Sequence, residues 1–144
     1  MLYKICSKAT CQKILQFMKR FITSLKAPKP LGPYSPGVEI QAQKRLYLSG
    51  QLGMNPETLE LVPGGVEAEA KKALDHVRTL LAEAGYEMTD VAAATVLLAD
   101  MEDFAKFNEI YKTYFQDPGP TRTCFQAARL PKNARVEITV IAEK

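Results

Sequence analysis

Residues 91–99 read Val-Ala-Ala-Ala-Thr-Val-Leu-Leu-Ala, and this short apolar run decides the fold. A run of this length is typical of a strand that is buried on at least one face. Helical periodicity precedes it in Val66 to Ala84, where an apolar stripe repeats every 3.6 residues and Gly85 marks the end. The stripe comprises Val66, Ala70, Ala73, Leu74, Val77, Leu80, Leu81 and Ala84.

A second helix follows the apolar run, starting within Asp100 to Asp103 and ending before Asp117. Its spacing predicts that the following residues face inward: Phe104, Phe107, Ile110, Tyr111, Tyr114 and Phe115. Strands are predicted beyond both helices, over Gly37 to Gln41, Arg45 to Leu48, Thr121 to Ala128 and Arg135 to Ala142. The order β-β-α-β-α-β-β predicts an α+β fold with both helices on one face of a sheet.

The other face of that sheet is predicted to stay open. The last two strands are apolar on both sides, and two helices cannot cover all of their apolar residues. We therefore expect self-association through the sheet. The residues that support this expectation are Phe125, Ala127, Val136, Ile138 and Val140.

The positive charge of the chain belongs to one end. The formal net charge is +3, but residues 1–30 contain seven basic residues and no acid, so the rest of the chain is at −4. Without residues 1–17 the chain has sixteen basic and sixteen acidic side chains. A surface that binds nucleic acid is normally basic and lies in the folded body. Because the chain beyond residue 30 is at −4, nucleic acid is not the expected partner.

Residues 1–26 form a basic extension with an amphipathic helical pattern, and a single domain is predicted over residues 27–144. An organelle transit peptide and a translated upstream extension, with Met18 as the true start, both fit this pattern. We predict a cytoplasmic protein, or one of an organelle matrix if the extension is a transit peptide. The apolar positions of the pattern are Ile14, Leu15, Met18, Phe21, Ile22 and Leu25.

Several function classes are excluded by composition. The length of 144 residues suits one domain, and no apolar stretch reaches the roughly 20 residues that span a bilayer. Three scattered cysteines do not form a disulfide framework. A single histidine argues against histidine-rich metal sites, and His76 lies off the apolar stripe, so we expect it to be solvated.

Arg122 and Glu137 are the most informative polar residues, because they lie in strands whose neighbours are apolar. They could form a structural ion pair across the sheet, or a site in which the guanidinium binds a carboxylate and the glutamate holds a water. Cys124 has no histidine placed to activate it and is expected to be a small buried residue. Polar side chains at element ends include Tyr34, Ser49 and Asn108.

Six motifs together resemble the reactive intermediate deaminase family, also called Rid or YjgF. The match extends from about Ala27 to Ala142, and Thr123 departs from it because serine or alanine commonly follows this arginine. The motifs are Gly32-Pro33-Tyr34-Ser35-Pro36-Gly37, Leu48-Ser49-Gly50-Gln51, Phe107-Asn108-Glu109-Ile110-Tyr111, Pro120-Thr121-Arg122-Thr123-Cys124, Ala128-Arg129-Leu130-Pro131-Lys132 and Arg135-Val136-Glu137-Ile138.

The resemblance implies a chorismate-mutase-like fold with a mixed sheet, assembled as a homotrimer around a central β-barrel with active sites between subunits. It implies hydrolysis of 2-imino and 2-enamino acids, such as 2-aminoacrylate and 2-iminobutanoate, to 2-keto acids and ammonia. This activity would protect pyridoxal-phosphate enzymes and would need no cofactor or metal.

The same resemblance assigns roles to individual residues. Arg122 would bind the substrate carboxylate, Glu137 would position or activate water, and the backbone of Cys124 would contact the substrate nitrogen or water. The pocket would be lined by Tyr34, Ser49, Gly50 and Asn108. Two alternatives are an endoribonuclease or translation inhibitor, which relatives are reported to be, and a non-catalytic trimer that binds small molecules.

Overall fold

The computed structural model describes residues 18–27 and 29–144. The strands are β1 (Met18–Ile22), β2 (Gly37–Gln41), β3 (Arg45–Leu52), β4 (Val91–Leu98), β5 (Thr121–Gln126) and β6 (Val136–Glu143). The helices are α1 (Gly65–Glu83) and α2 (Phe104–Tyr114), and short 3-10 turns cover Met88–Asp90, Met101–Asp103 and Pro131–Asn133. In this part of the chain, no helix is long and apolar enough to cross a membrane.

The main sheet has four strands in the order β3-β6-β4-β5. β6 runs antiparallel to both β3 and β4, whereas β4 and β5 are parallel and are connected through α2. The sheet is therefore mixed, and the predicted α+β class is confirmed. The connection through α2 places that helix over β5, where the candidate arginine lies.

Both helices pack on one face of this sheet. Val136, Ile138 and Val140 of β6 point into the helix-covered core and are at most 1% exposed. Alternate residues of a strand point to opposite faces, so Glu137 points away from the helices. The expectation that these three apolar residues would drive self-association is wrong, because α1 and α2 bury them within one chain.

The opposite face does remain partly uncovered. Phe125 is 50% exposed and Tyr47 is 64% exposed. Near one end of the sheet, Ala127 is half-buried in a small second apolar cluster that contains Leu52, Leu130 and Ala134. The predicted open face thus exists. It exposes Tyr47 and Phe125, whereas the expected Val136, Ile138 and Val140 point to the other face.

The N-terminal part of the described chain differs from its helical pattern. Met18–Ile22 forms an antiparallel pair with β2 in a separate two-stranded sheet. The amphipathic-helix interpretation is therefore wrong for these residues, and residues 1–17 lie outside the described part. The Lys19 ammonium donates hydrogen bonds to the carbonyls of Thr89 and Val91, which attaches β1 to the start of β4.

The two helices follow the predicted pattern with local differences. Most of the apolar stripe of α1 is buried, but Leu80 is 40% exposed and Ala84 is also exposed, because the stripe turns toward solvent at the end of the helix. In α2, Phe107, Tyr111 and the following Phe115 are buried, as predicted. Asp100 accepts a hydrogen bond from the Glu102 amide and caps the 3-10 turn that precedes α2.

Candidate active site

Arg122 lies on β5 against the first turns of α2. Its Nη1 donates a hydrogen bond to Oδ1 of Asn108 at 2.8 Å. Four aromatic rings surround the guanidinium carbon, with ring centroids 4.8 to 5.7 Å away. We call this set the aromatic box; its members are Tyr34, Phe104, Phe107 and Tyr111.

The aromatic box keeps a positive charge partly out of water. Burial lowers the pKa of the Arg122 guanidinium, and the nearby Tyr111, Cys124 and Tyr34 act in the opposite direction. Nη2 of Arg122 is buried and has no hydrogen-bond partner in the described residues. A partly desolvated cation with a free donor is suited to bind an anion such as a carboxylate.

Cys124 follows on the same face of β5 and packs against the core. Burial raises the pKa of its thiol, and the charge of Arg122 opposes this shift without reversing it. A thiol with a raised pKa is protonated at neutral pH and is a poor nucleophile. The geometry therefore agrees with the view that the side chain of Cys124 is not an attacking group.

Glu137 on β6 forms a second group with Gly50 and Ser49 of β3. A Cβ atom added to Gly50 would lie only 1.8 Å from Oε1 of Glu137 and 2.6 Å from its Cδ. Only a glycine leaves room for the carboxylate at this position. Ser49 is exposed beside Gly50, and its carbonyl accepts a hydrogen bond from Gln51 Nε2 at 3.0 Å.

Arg122 and Glu137 lie on opposite faces of the sheet. Arg122 pairs with Ala94 of β4, whose side chain is in the helix-covered core, whereas Glu137 pairs with Leu97, three residues further on. The whole width of β4 also separates their strands. The interpretation of these residues as a structural ion pair is therefore wrong within one chain.

The structure thus divides the predicted site into two groups. Arg122, Cys124, Asn108 and Tyr34 come together on the helix side, which we call the arginine half-site. Ser49, Gly50 and Glu137 come together on the open side, which we call the glutamate half-site. Neither half-site contains both a carboxylate-binding group and a carboxylate that could activate water.

Sequence reasoning missed two features of the arginine half-site. A Cβ at Gly32 would lie 2.9 Å from Nη2 of Arg122, so this glycine allows the loop backbone to cover the guanidinium. The helical spacing predicts Phe104 and Tyr111 as core residues only. Their spacing of four and three residues from Asn108 places all three on one helix face, which could have indicated a shared site.

His76 is half-buried, so the expectation that it is solvated is wrong. Its Nε2 lies within hydrogen-bond distance, 2.7 Å, of the carbonyl oxygen of Met54. Within residues 18–27 and 29–144, no group of three His, Cys, Asp or Glu side chains is arranged to hold a metal ion.

Two cavities lie beside β1, with volumes of about 520 and 420 Å³. The smaller one includes Tyr34 in its wall, but neither is lined by Arg122 or Glu137. The reactive groups of one chain are therefore not enclosed in either cavity.

Comparison with known proteins places the chain in a family. A sequence model described as Endoribonuclease L-PSP matches residues 24–144. The 2-iminobutanoate/2-iminopropanoate deaminases of Capra hircus and Homo sapiens are 50% and 46% identical to the chain over 125 residues, which cover 87% of this chain and 90% of each relative.

Solved structures agree with these sequence matches. The YjgF gene product of E. coli has a TM-score of 0.66 and 34% identity, covering 87% of this chain and 98% of its own. RidA from an Antarctic Psychrobacter has a TM-score of 0.68 and 37% identity, covering 87% and 99%. The chain therefore belongs to the Endoribonuclease L-PSP family, the family of the RidA and YjgF proteins.

Proposed function

We propose that this chain hydrolyses 2-imino and 2-enamino acids, such as 2-iminobutanoate and 2-aminoacrylate, to 2-keto acids and ammonia. The observation that supports this most directly is the buried, unpartnered Nη2 of Arg122 within the aromatic box. Curated relatives that are 50% and 46% identical to this chain are named 2-iminobutanoate/2-iminopropanoate deaminase. An imino acid offers the carboxylate that such a guanidinium binds.

The chemistry needs little from the protein beyond positioning. The carbon of an iminium group is electrophilic, so a held water can attack it without a protein nucleophile. Arg122 binds the substrate carboxylate, and Glu137 positions this water and takes its proton as the C–O bond forms. The proton then passes to the amine nitrogen, the C–N bond breaks, and ammonia leaves as the 2-keto acid forms. The backbone of Cys124 contacts the substrate nitrogen or the water, which leaves the protonated thiol without a chemical role.

The two half-sites must come from different chains for this reaction. Arg122 and Glu137 are on opposite faces of one sheet, so a single chain cannot present both to one substrate. A second copy that docks on the open face would bring its own residues toward the first chain. We propose a homotrimer around a central β-barrel, with chorismate-mutase-like architecture and three sites between subunits.

The open face provides apolar surface for this assembly. Tyr47 and Phe125 are at least half exposed there in the isolated chain, and Glu137 lies on the same face. Large apolar side chains exposed together on one sheet face mark an association surface. Assembly would therefore cover these side chains and complete the active sites in one step.

The pocket is completed by the remaining predicted residues. Asn108 fixes the guanidinium through its hydrogen bond to Nη1, and the ring of Tyr34 lies on another side of it. Ser49 and Gly50 line the pocket on the glutamate half-site, where Gly50 gives Glu137 its position. No cofactor or metal takes part in the proposed reaction.

The alternatives are an endoribonuclease and a non-catalytic trimer that binds small molecules. The family description names an endoribonuclease, but residues 18–144 have equal numbers of basic and acidic side chains, without the excess of cations that phosphate binding favours. We therefore do not expect nucleic acid as a partner. A cytoplasmic location, or an organelle matrix if residues 1–26 are a transit peptide, stays a prediction.

The test is ammonia release from 2-iminobutanoate that a dehydratase generates in the same assay, with Arg122→Ala as the variant. We expect the wild-type chain to accelerate the release and the variant to lose this acceleration while it elutes at the same size in chromatography. Equal hydrolysis by the variant would contradict the carboxylate-binding role. RNA cleavage by the wild type without imine hydrolysis would favour the endoribonuclease.

A further inference from the structure

Two buried polar atoms of the aromatic box lack a hydrogen-bond partner in the described residues. They are Nη2 of Arg122 and the hydroxyl oxygen of Tyr111. Buried polar groups are nearly always paired in folded proteins, and an unpaired one destabilises the fold. Two such atoms on neighbouring side chains indicate that a bound ligand supplies the polar group that pairs with them.

The two side chains are held against each other. The guanidinium carbon of Arg122 lies 4.8 Å from the ring centroid of Tyr111. The Tyr111 ring is fixed in turn by Phe107 and Phe115, whose centroids are 5.4 and 4.6 Å away. Neither side chain can turn to find another partner without breaking this stack.

Both unpaired groups are donors at neutral pH. Burial raises the pKa of the Tyr111 hydroxyl well above its usual range, and the charge of Arg122 only partly offsets this shift. The hydroxyl therefore retains its proton, and the guanidinium is always charged. An oxygen of an anion, which has two lone pairs, accepts from both donors, whereas the two groups do not bond to each other.

We infer that Tyr111 is a substrate-binding residue whose hydroxyl donates to the same carboxylate oxygen that Nη2 of Arg122 binds. This inference rests on the proposed function and assigns its carboxylate a second donor. The Gly32 backbone covers Nη2, since a Cβ there would lie 2.9 Å away. The carboxylate reaches both donors when the loop around Gly32 moves outward.

The covering loop is fixed to β5 at its Ser35 end, and within the loop the Leu31 amide donates to the Tyr34 hydroxyl at 3.1 Å. Ser35 donates hydrogen bonds through its amide to Pro120 O and through its hydroxyl to Gly119 O. Leu31, on the other side of Gly32, is 85% exposed. An outward movement at Gly32 therefore needs no rearrangement of the core.

The test compares Tyr111→Phe with the wild type. The substitution removes the hydroxyl and keeps the ring that supports Arg122. The readouts are the KM and kcat for 2-iminobutanoate, the dissociation constant for the stable product 2-oxobutanoate, and the Tm. We expect the KM and the dissociation constant to rise about tenfold or more, because a hydrogen bond to a charged group is lost. The kcat should change less, and the Tm should stay level or rise because an unpaired group is gone.

Tyr114→Phe is the matched control on the same helix. The Tyr114 hydroxyl already donates to Asp75 Oδ1 at 2.8 Å and lies 3.2 Å from the carbonyl of Lys71. Its removal should lower the Tm and leave the binding of 2-oxobutanoate unchanged. We therefore expect Tyr111→Phe to lose affinity without loss of stability and Tyr114→Phe to lose stability without loss of affinity.

Arg122→Lys separates failure of this inference from failure of the proposed function. If Arg122→Lys weakens binding but Tyr111→Phe does not, the inference is overturned and the proposed function stands. A lower Tm with unchanged affinity in Tyr111→Phe also overturns it, because the hydroxyl then holds only a structural water. If both variants bind 2-oxobutanoate and turn over imine like the wild type, the carboxylate-binding role itself is wrong.

Discussion

Gly50 lies against the side chain of Glu137, so alanine at this position displaces the carboxylate without removing it. The new Cβ would lie 1.8 Å from Oε1, 2.6 Å from Cδ and 2.9 Å from Cγ of Glu137. None of these distances is tolerable between nonbonded atoms, so the side chain has to turn away. The backbone can remain in place, since the atoms in conflict belong to the flexible part of a side chain.

The expected effects on stability and activity are therefore very different. Alanine reduces the freedom of the unfolded chain, which stabilises by about 0.4–1 kcal/mol and offsets part of the cost of moving Glu137. We expect the Tm to change by no more than about 5 °C. A positioned general base contributes about 100- to 10,000-fold, so kcat for 2-iminobutanoate should fall at least about 100-fold.

The assay is ammonia release under substrate saturation, with Tm and oligomer size measured on the same samples. Glu137→Gln should lose a similar factor because it removes the base without a collision. Gly119→Ala is the matched control, since a Cβ there would come no closer than 3.5 Å to its neighbours. A Gly50→Ala variant with wild-type kcat would refute the reasoning that Glu137 acts from its position over Gly50.

Three further predictions concern the arginine half-site and the core. Arg122→Lys keeps the charge but loses the planar guanidinium that Asn108 orients, so kcat/KM should fall about tenfold or more while the Tm stays the same. An unchanged kcat/KM would contradict the role of the guanidinium geometry. Gly32→Ala should lower KM, because its Cβ would lie 2.9 Å from Nη2 and so disfavours the position in which the loop covers the guanidinium; a raised KM would show that the loop stays in place when substrate binds. Burial raises the pKa of Glu69, which accepts from the Arg135 amide, so the folded chain holds this proton more tightly than the unfolded chain does. Stability should therefore decline as the pH rises above the ordinary value of 4.5, and Glu69→Gln should remove this decline in thermal unfolding; parallel curves would contradict it.

Local patterns predicted the elements of the main sheet and its helices well. The apolar stripe of α1 has a period that only a helix satisfies, and the run at residues 91–99 has a length that is typical of a buried strand. The apolar and basic residues at 18–22 fit a helical face, although this segment forms β1. Its pairing with β2 depends on contacts between two separate segments of the chain, which the periodicity within one segment does not report.

The candidate residues were found through motif resemblance, but their division into two half-sites was not. Arg122 and Glu137 are only fifteen positions apart, and their faces depend on strand order and register, with β4 inserted between β5 and β6. Tyr111 was assigned to the core because an aromatic residue on an apolar face is usually a packing residue. Its unpaired hydroxyl becomes visible only when the surrounding atoms are placed.

The central claim is that one active site takes Arg122 from one chain and Glu137 from another. The most direct measurement is imine hydrolysis by oligomers that are reassembled from equal amounts of Arg122→Ala and Glu137→Gln chains. Each variant alone should be inactive. Random mixing in a cyclic oligomer pairs an intact arginine half-site with an intact glutamate half-site at about one quarter of the interfaces, so about one quarter of the wild-type activity should return. Mixed oligomers that stay as inactive as the separate variants would contradict the claim.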